Sequence, residues 1–180
     1  RNPYLIMKIT KNNIIQYAKL YDKQWKGTND EEIEKRYKGI LQKRRYLTRD
    51  EFIETGMWKS KRPKRWYYKN SNSDVHQCTK KSFSAQDEEK RIDELFKLYG
   101  VGYPVASVLL HFAFPDEYSI LDFRALWSLG WPQPSNYDFL FWIKYSQKLR
   151  TLSKKLHLPI RTIDKALWKY SAIHQLKIKK

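Results

Sequence analysis

The chain has 180 residues, and 36 Lys and Arg against 19 Asp and Glu give a formal net charge of +17. Its 41% hydrophobic residues are enough to build a core and too many for a disordered basic tail. A single cysteine, Cys78, excludes an internal disulfide and any Cys-rich zinc or iron–sulfur site, because those need several thiolates close together.

Apolar residues recur at three- and four-residue steps through Ile14, Tyr17, Ala18 and Tyr21, then through Ile33, Tyr37, Ile40 and Leu41, which predicts two amphipathic helices. Thr48 stands three positions before Glu51 in the capping-box arrangement, so a third helix is expected from there to about Trp58. The basic segment 59–69 breaks the pattern at Pro63. Ser73 is expected to cap a fourth helix carrying Val75 and Phe83, and Ser84 to start a fifth through Ile92, Leu95 and Leu98, stopped by Gly100. Pro104 suits the first turn of a helix that continues from Val105 to Phe112 and ends at Pro115. Asp122 opens the next, terminated by Gly130, and two longer helices follow at about Tyr137 to Leu156 and Arg161 to Leu176. Lys177, Lys179 and Lys180 read as a loose basic tail. No alternating run suggests a sheet, and no linker or repeat marks a boundary. The expected fold is all-α: one helical domain over 1–180, with two lobes as an alternative.

No stretch approaches the roughly 18 consecutive apolar residues that span a bilayer, and the Lys-punctuated N-terminus lacks the apolar run of a signal peptide. A soluble, intracellular protein that does not engage membranes is therefore expected. A charge of this size combined with 28 aromatic residues (7 Trp, 13 Tyr, 8 Phe) points to a polyanion whose bases stack on rings, which means nucleic acid before membrane, the alternative being a highly soluble protein whose charge has no specific partner.

The most informative stretch is Leu98-Tyr99-Gly100-Val101-Gly102-Tyr103-Pro104-Val105-Ala106, lying between two apolar-periodic helices. Glycines in a tight interhelical turn free the backbone for conformations barred to other residues and leave N–H groups uncovered at the next helix start, where a phosphate can sit. This is a helix-hairpin-helix signature. Downstream, Tyr118-Ser119-Ile120-Leu121-Asp122-Phe123-Arg124 sets an acid after an apolar run at a helix start, twenty residues past Gly102.

This order and spacing resemble the helix-hairpin-helix DNA glycosylase superfamily, in which a Gly-Val-Gly hairpin is followed at this distance by an apolar-apolar-Asp segment; the adenine-mismatch branch has a similar Ile-Leu-Asp. The resemblance covers about 95–130. It implies that Asp122 is the catalytic carboxylate, that Gly100, Val101 and Gly102 bind double-stranded DNA, and that a target nucleotide is flipped out of the duplex. A carboxylate belongs there chemically, because cleaving an N-glycosidic bond leaves positive charge on the sugar, which a fixed anion stabilises while orienting the attacking water. The alternative role for Asp122 is an ordinary helix N-cap. Bifunctional members carry a lysine two residues after the second glycine, whose amine forms a Schiff base with the sugar. Pro104 stands there instead, so the resemblance implies base removal by water without an efficient lyase step, unless Lys59, Lys61 or Lys64 substitutes. It implies no metal, no iron–sulfur cluster and no other cofactor, beyond at most a structural monovalent cation at the hairpin. A monomer suffices.

Segment 59–69 carries six cations and no acid: Lys59, Lys61, Arg62, Lys64, Arg65 and Lys69, with Trp66, Tyr67 and Tyr68 interleaved. It suits the DNA backbone, and its rings are candidates for a wedge or for lining a pocket around an extruded base, with core packing as the alternative for each. Trp58 is a further pocket candidate on the same terms. Glu54 and Asp50 are candidate second acids to protonate the leaving base, or a solvated helix face. His111 reads as a core histidine, Arg124 as a phosphate contact or a partner of Asp116 or Glu117, and Phe123 and Trp127 as packing residues. Two functions compete: a monofunctional DNA glycosylase, in repair or in defence, and a non-catalytic helix-hairpin-helix module that binds duplex DNA.

Overall fold

A computed structural model describes residues 6–175, and all regular structure among them is helical. In chain order the helices are α1 (Lys11–Trp25), α2 (Asn29–Arg44), α3 (Arg49–Lys59), α4 (Lys64–Tyr67), α5 (Asn72–Ser84), α6 (Glu88–Phe96), α7 (Tyr103–Ala113), α8 (Phe123–Ser128), α9 (Phe139–Leu156) and α10 (Ile160–His174). The described residues divide into two compact units, one formed by 27–118 and the other by 6–26 together with 119–175. None of these helices is long and apolar enough to cross a membrane.

The unit 27–118 is built around α7. Every residue of that helix from Val105 to Ala113 is buried, as a helix apolar on nearly every face requires, with Ser107 and His111 the polar exceptions. Helices α2, α3 and α6 pack on it, and α5 packs on α6. Tyr37 of α2 and Trp58 of α3 both meet the Phe112 ring, with centroids 6.3 and 5.5 Å away. Helix α2 starts on the Thr28 side chain, has Asp30, Glu31 and Glu32 in its first turn and Lys43 and Arg44 in its last, so its charges oppose the helix dipole at both ends. Thr48 and Glu51 form the expected reciprocal capping box at the start of α3.

The unit formed by the chain's two ends is centred on α10, against which α1, α8 and α9 pack. Its core includes Ile14, Ala18, Leu126, Trp142, Tyr145, Leu149, Ile163 and Leu167. The Ser128 hydroxyl ties α8 to α10 by donating to the Leu167 carbonyl (2.6 Å).

Three expected boundaries move. The fourth expected helix is capped by Ser71 and not Ser73, because Ser71 has Asp74 at the third helical position to return the bond, whereas Ser73 has His76 there. Ser84 ends α5, and the next helix is capped by Asp87, whose carboxylate accepts from the Lys90 N–H at 2.8 Å. Within the basic segment, the chain after Pro63 takes one helical turn, α4. Leu176, the expected end of the last helix, and the tail lysines 177, 179 and 180 lie outside the described residues.

Candidate nucleic-acid interface and catalytic carboxylate

In the unit 27–118 the basic segment lies directly on the glycine turn between α6 and α7. Asn70 makes the join: its side-chain amide donates to the Tyr99 carbonyl (3.0 Å) and to that of Tyr67 (3.0 Å), while its Oδ1 accepts the Tyr99 N–H (2.8 Å). Gly100 has φ of +85°, and a Cβ there would lie 2.7 Å from the Tyr67 ring and 3.2 Å from the Trp66 Cβ. Both left-handed backbone and close approach therefore require glycine at position 100. Gly102 differs from expectation. It is extended, with φ of −118° and ψ of −176°, and an added Cβ would touch only Pro104, at 3.9 Å. Glycine there leaves the exposed N-terminal end of α7 bare, with no side chain capping it and Pro104 in its first turn.

The expected DNA-contacting cations divide by exposure. Lys61, Arg62, Lys64 and Arg65 are exposed, and Lys59 is half-buried at the end of α3. The aromatic candidates divide more sharply. Tyr67 belongs to the core: its hydroxyl donates to the Ser60 carbonyl (3.1 Å), the Gly56 carbonyl lies beside it at 3.3 Å, and burial pushes the phenol up to about 12. Trp58 is half-buried against Phe112 and donates its indole N–H to the Asp30 carbonyl (3.2 Å), so it packs within the helical frame. Trp66 is exposed, with Lys69 Nζ 4.2 Å and the Arg65 guanidinium 5.2 Å from its ring centre. Tyr68 is half exposed, and the Arg49 guanidinium sits 5.6 Å from its ring centre.

Glu54 and Tyr68, with Asp50, Glu51, Tyr37, Ile53 and Met57, line one cleft of about 480 Å³. Glu54 accepts from the Tyr37 hydroxyl and from Arg36 (3.2 Å). Burial, followed by the Glu54 contact, raises the Tyr37 phenol well above its ordinary range. Glu54 is thus held by two donors at one carboxylate oxygen while its side chain stays partly exposed. His111 is fully buried, and its Nδ1 donates to the Tyr118 carbonyl (2.8 Å), the bonding of a core histidine.

Asp122 belongs to the other unit. It is half-buried at the N-cap of α8, and its Oδ1 accepts the Arg124 N–H (3.0 Å). The strand of chain leading to it is pinned two residues upstream: the buried Asp164 carboxylate accepts the Ile120 N–H (2.9 Å), and the buried Tyr145 hydroxyl donates to the Ile120 carbonyl (3.1 Å). The negative charge of Asp122 reaches two phenols. Burial first, and then Asp122, raises Tyr137; burial, Asp164 and Asp122 in that order raise Tyr145. The Arg124 guanidinium lies over the Phe123 and Trp168 rings, 5.2 and 5.3 Å from their centres.

Asn70, Tyr99, Tyr145 and Asp164 are the residues that reading the sequence missed. Tyr99 carried a usable signal: the three-residue step Ile92, Leu95, Leu98 directs those side chains inward, which leaves the next residue, an aromatic before the glycine turn, outside. Asn70 and Asp164 carried none, since their partners lie 29 and 44 residues away. Among the described residues no group of three or more His, Cys, Asp or Glu is gathered that could hold a metal ion. Comparison with protein-family models, curated proteins and solved structures finds no match for the chain.

Proposed function

We propose that this protein is a monofunctional DNA glycosylase, which binds double-stranded DNA through the hairpin and the basic segment and hydrolyses the bond between a damaged, mismatched or modified base and deoxyribose. The observation that carries the DNA half of this proposal is the Asn70 clamp, which joins the acid-free cationic segment to a turn ending in a bare helix N-terminus. Oriented N–H groups and mobile cations are complementary to a phosphodiester backbone. Asp122 supplies the chemistry. Its carboxylate stabilises the oxocarbenium-like sugar and orients water, on a segment pinned at both polar groups of Ile120. Pro104 has no amine to form a Schiff base, so the strand stays intact after the base leaves.

A second reading, a non-catalytic duplex-binding module, is favoured by one observation: Asp122 caps α8, a role that needs no substrate. The substitution Asp122→Asn separates the two. Asparagine caps a helix about as well as aspartate but carries no charge, so the fold and DNA binding survive while a glycosylase loses at least about a hundredfold in rate. The measurement is incubation of both proteins with duplexes each bearing one lesion or mismatch, followed by hot alkali to cut abasic sites. Alkali-dependent cleavage by the wild type alone is the expected result. Equal binding of every duplex with no cleavage by either protein favours the module.

A further inference from the structure

Tyr99 and Trp66 form an exposed aromatic pair beside the hairpin. Tyr99 is 56% and Trp66 37% exposed, and the two rings are close to parallel, 23° apart with centroids 6.3 Å apart. Large apolar rings left in water are unfavourable unless a partner covers them. The backbone beneath both rings is fixed. The Tyr99 backbone is bonded to Asn70 through both its N–H and its carbonyl, and the Trp66 N–H donates to the Pro63 carbonyl (2.8 Å) within the turn that Asn70 also caps. The pair is therefore presented at low entropic cost to binding. Its surroundings are cationic, with Arg65 and Lys69 at the Trp66 ring and Lys61, Arg62 and Lys64 exposed in the same acid-free segment.

We propose that Tyr99, supported by Trp66, is a base-stacking platform, and that the nucleic acid preferred by this face carries an unpaired nucleobase next to the duplex backbone held by the hairpin. The proposal rests on the DNA-binding part of the function proposed above. An aromatic face and a flanking cation match a nucleobase joined to its phosphate, which offers a π-face and a negative charge within a few ångströms. In a continuous duplex the faces of the bases are covered by their neighbours, so the rings have nothing to stack on. A bulged or unstacked nucleotide uncovers one.

The test is a fluorescence-anisotropy titration of the full chain with two labelled duplexes that are identical except for one central unpaired adenine. The wild type is expected to bind the bulged duplex roughly tenfold more tightly. Tyr99→Ala is expected to reduce that ratio to near one while leaving affinity for the plain duplex unchanged, and Tyr99→Phe, which keeps the ring, to retain it. Tyr99 projects into solvent, and thermal melting checks that both variants fold. Equal binding of the two duplexes by the wild type, or a ratio that survives in Tyr99→Ala, would overturn the platform alone. Failure to bind either duplex would overturn the DNA-binding function with it.

Discussion

Gly100 and Gly102 sit two residues apart in one turn and do different work. Gly100 is demanded by the fold, because its φ of +85° and its 2.7 Å approach to the buried Tyr67 ring both exclude a Cβ. Gly102 meets no steric demand of this kind; it is the N-cap of α7, at the exposed start of that helix. Gly100→Ala is expected to cost about 1–3 kcal/mol of stability, measured by denaturant unfolding. Gly102→Ala, at an N-cap where alanine is poorer than glycine, is expected to cost no more than about 1 kcal/mol yet bind duplex DNA more weakly, because a methyl group then stands between the backbone N–H groups and a phosphate. A Gly102→Ala protein with wild-type affinity would remove the hairpin from the interface. The sequence pattern pointed to both glycines alike; only the backbone angles and the neighbouring ring distinguish them.

Among the helices, periodicity and caps were legible where partners are near in sequence. The Thr48–Glu51 box, the burial of α7 and the stop after Phe112 all follow from residues within one or two turns of each other. The missed start of α5 arose where serines competed, and the cap fell to Ser71, which has Asp74 three residues on; α6 starts on Asp87, three residues past the expected Ser84. The join between α4 and the hairpin turn lay beyond such reasoning, since it runs through Asn70, buried among carbonyls of residues at two distant positions. Asn70→Ala leaves the Tyr99 N–H and carbonyl without these bonds in a largely buried place, so a loss of about 1–3 kcal/mol is expected in denaturant unfolding. DNA affinity should fall further than that of any single lysine variant in segment 59–69, because the clamp holds the whole segment against the turn. A stable Asn70→Ala protein that binds DNA normally would separate the two elements functionally.

For the molecule as a whole, charge is the dominant property. A net charge of +17 with five exposed cations in one acid-free segment, Lys61, Arg62, Lys64, Arg65 and Lys69, predicts that duplex affinity falls steeply with salt, with a log–log slope steeper than about −4 if those five meet phosphates. Replacing Lys64 and Arg65 with alanine should make that slope shallower by roughly one for each, read from titrations across a salt series. A slope that does not change would put the phosphate contacts elsewhere. From the sequence come the all-helical class, the helix caps at Thr48 and Asp122 and the large positive charge, because these depend on composition and on residues a few positions apart. Only the packed helices decide that Tyr67 and Trp58 turn inward, that Asn70 seats the basic segment on the turn before α7, and that Asp164 and Tyr145 hold the chain entering Asp122. Each of those outcomes is a contact between residues far apart along the chain, and such contacts form only when the helices carrying them have packed.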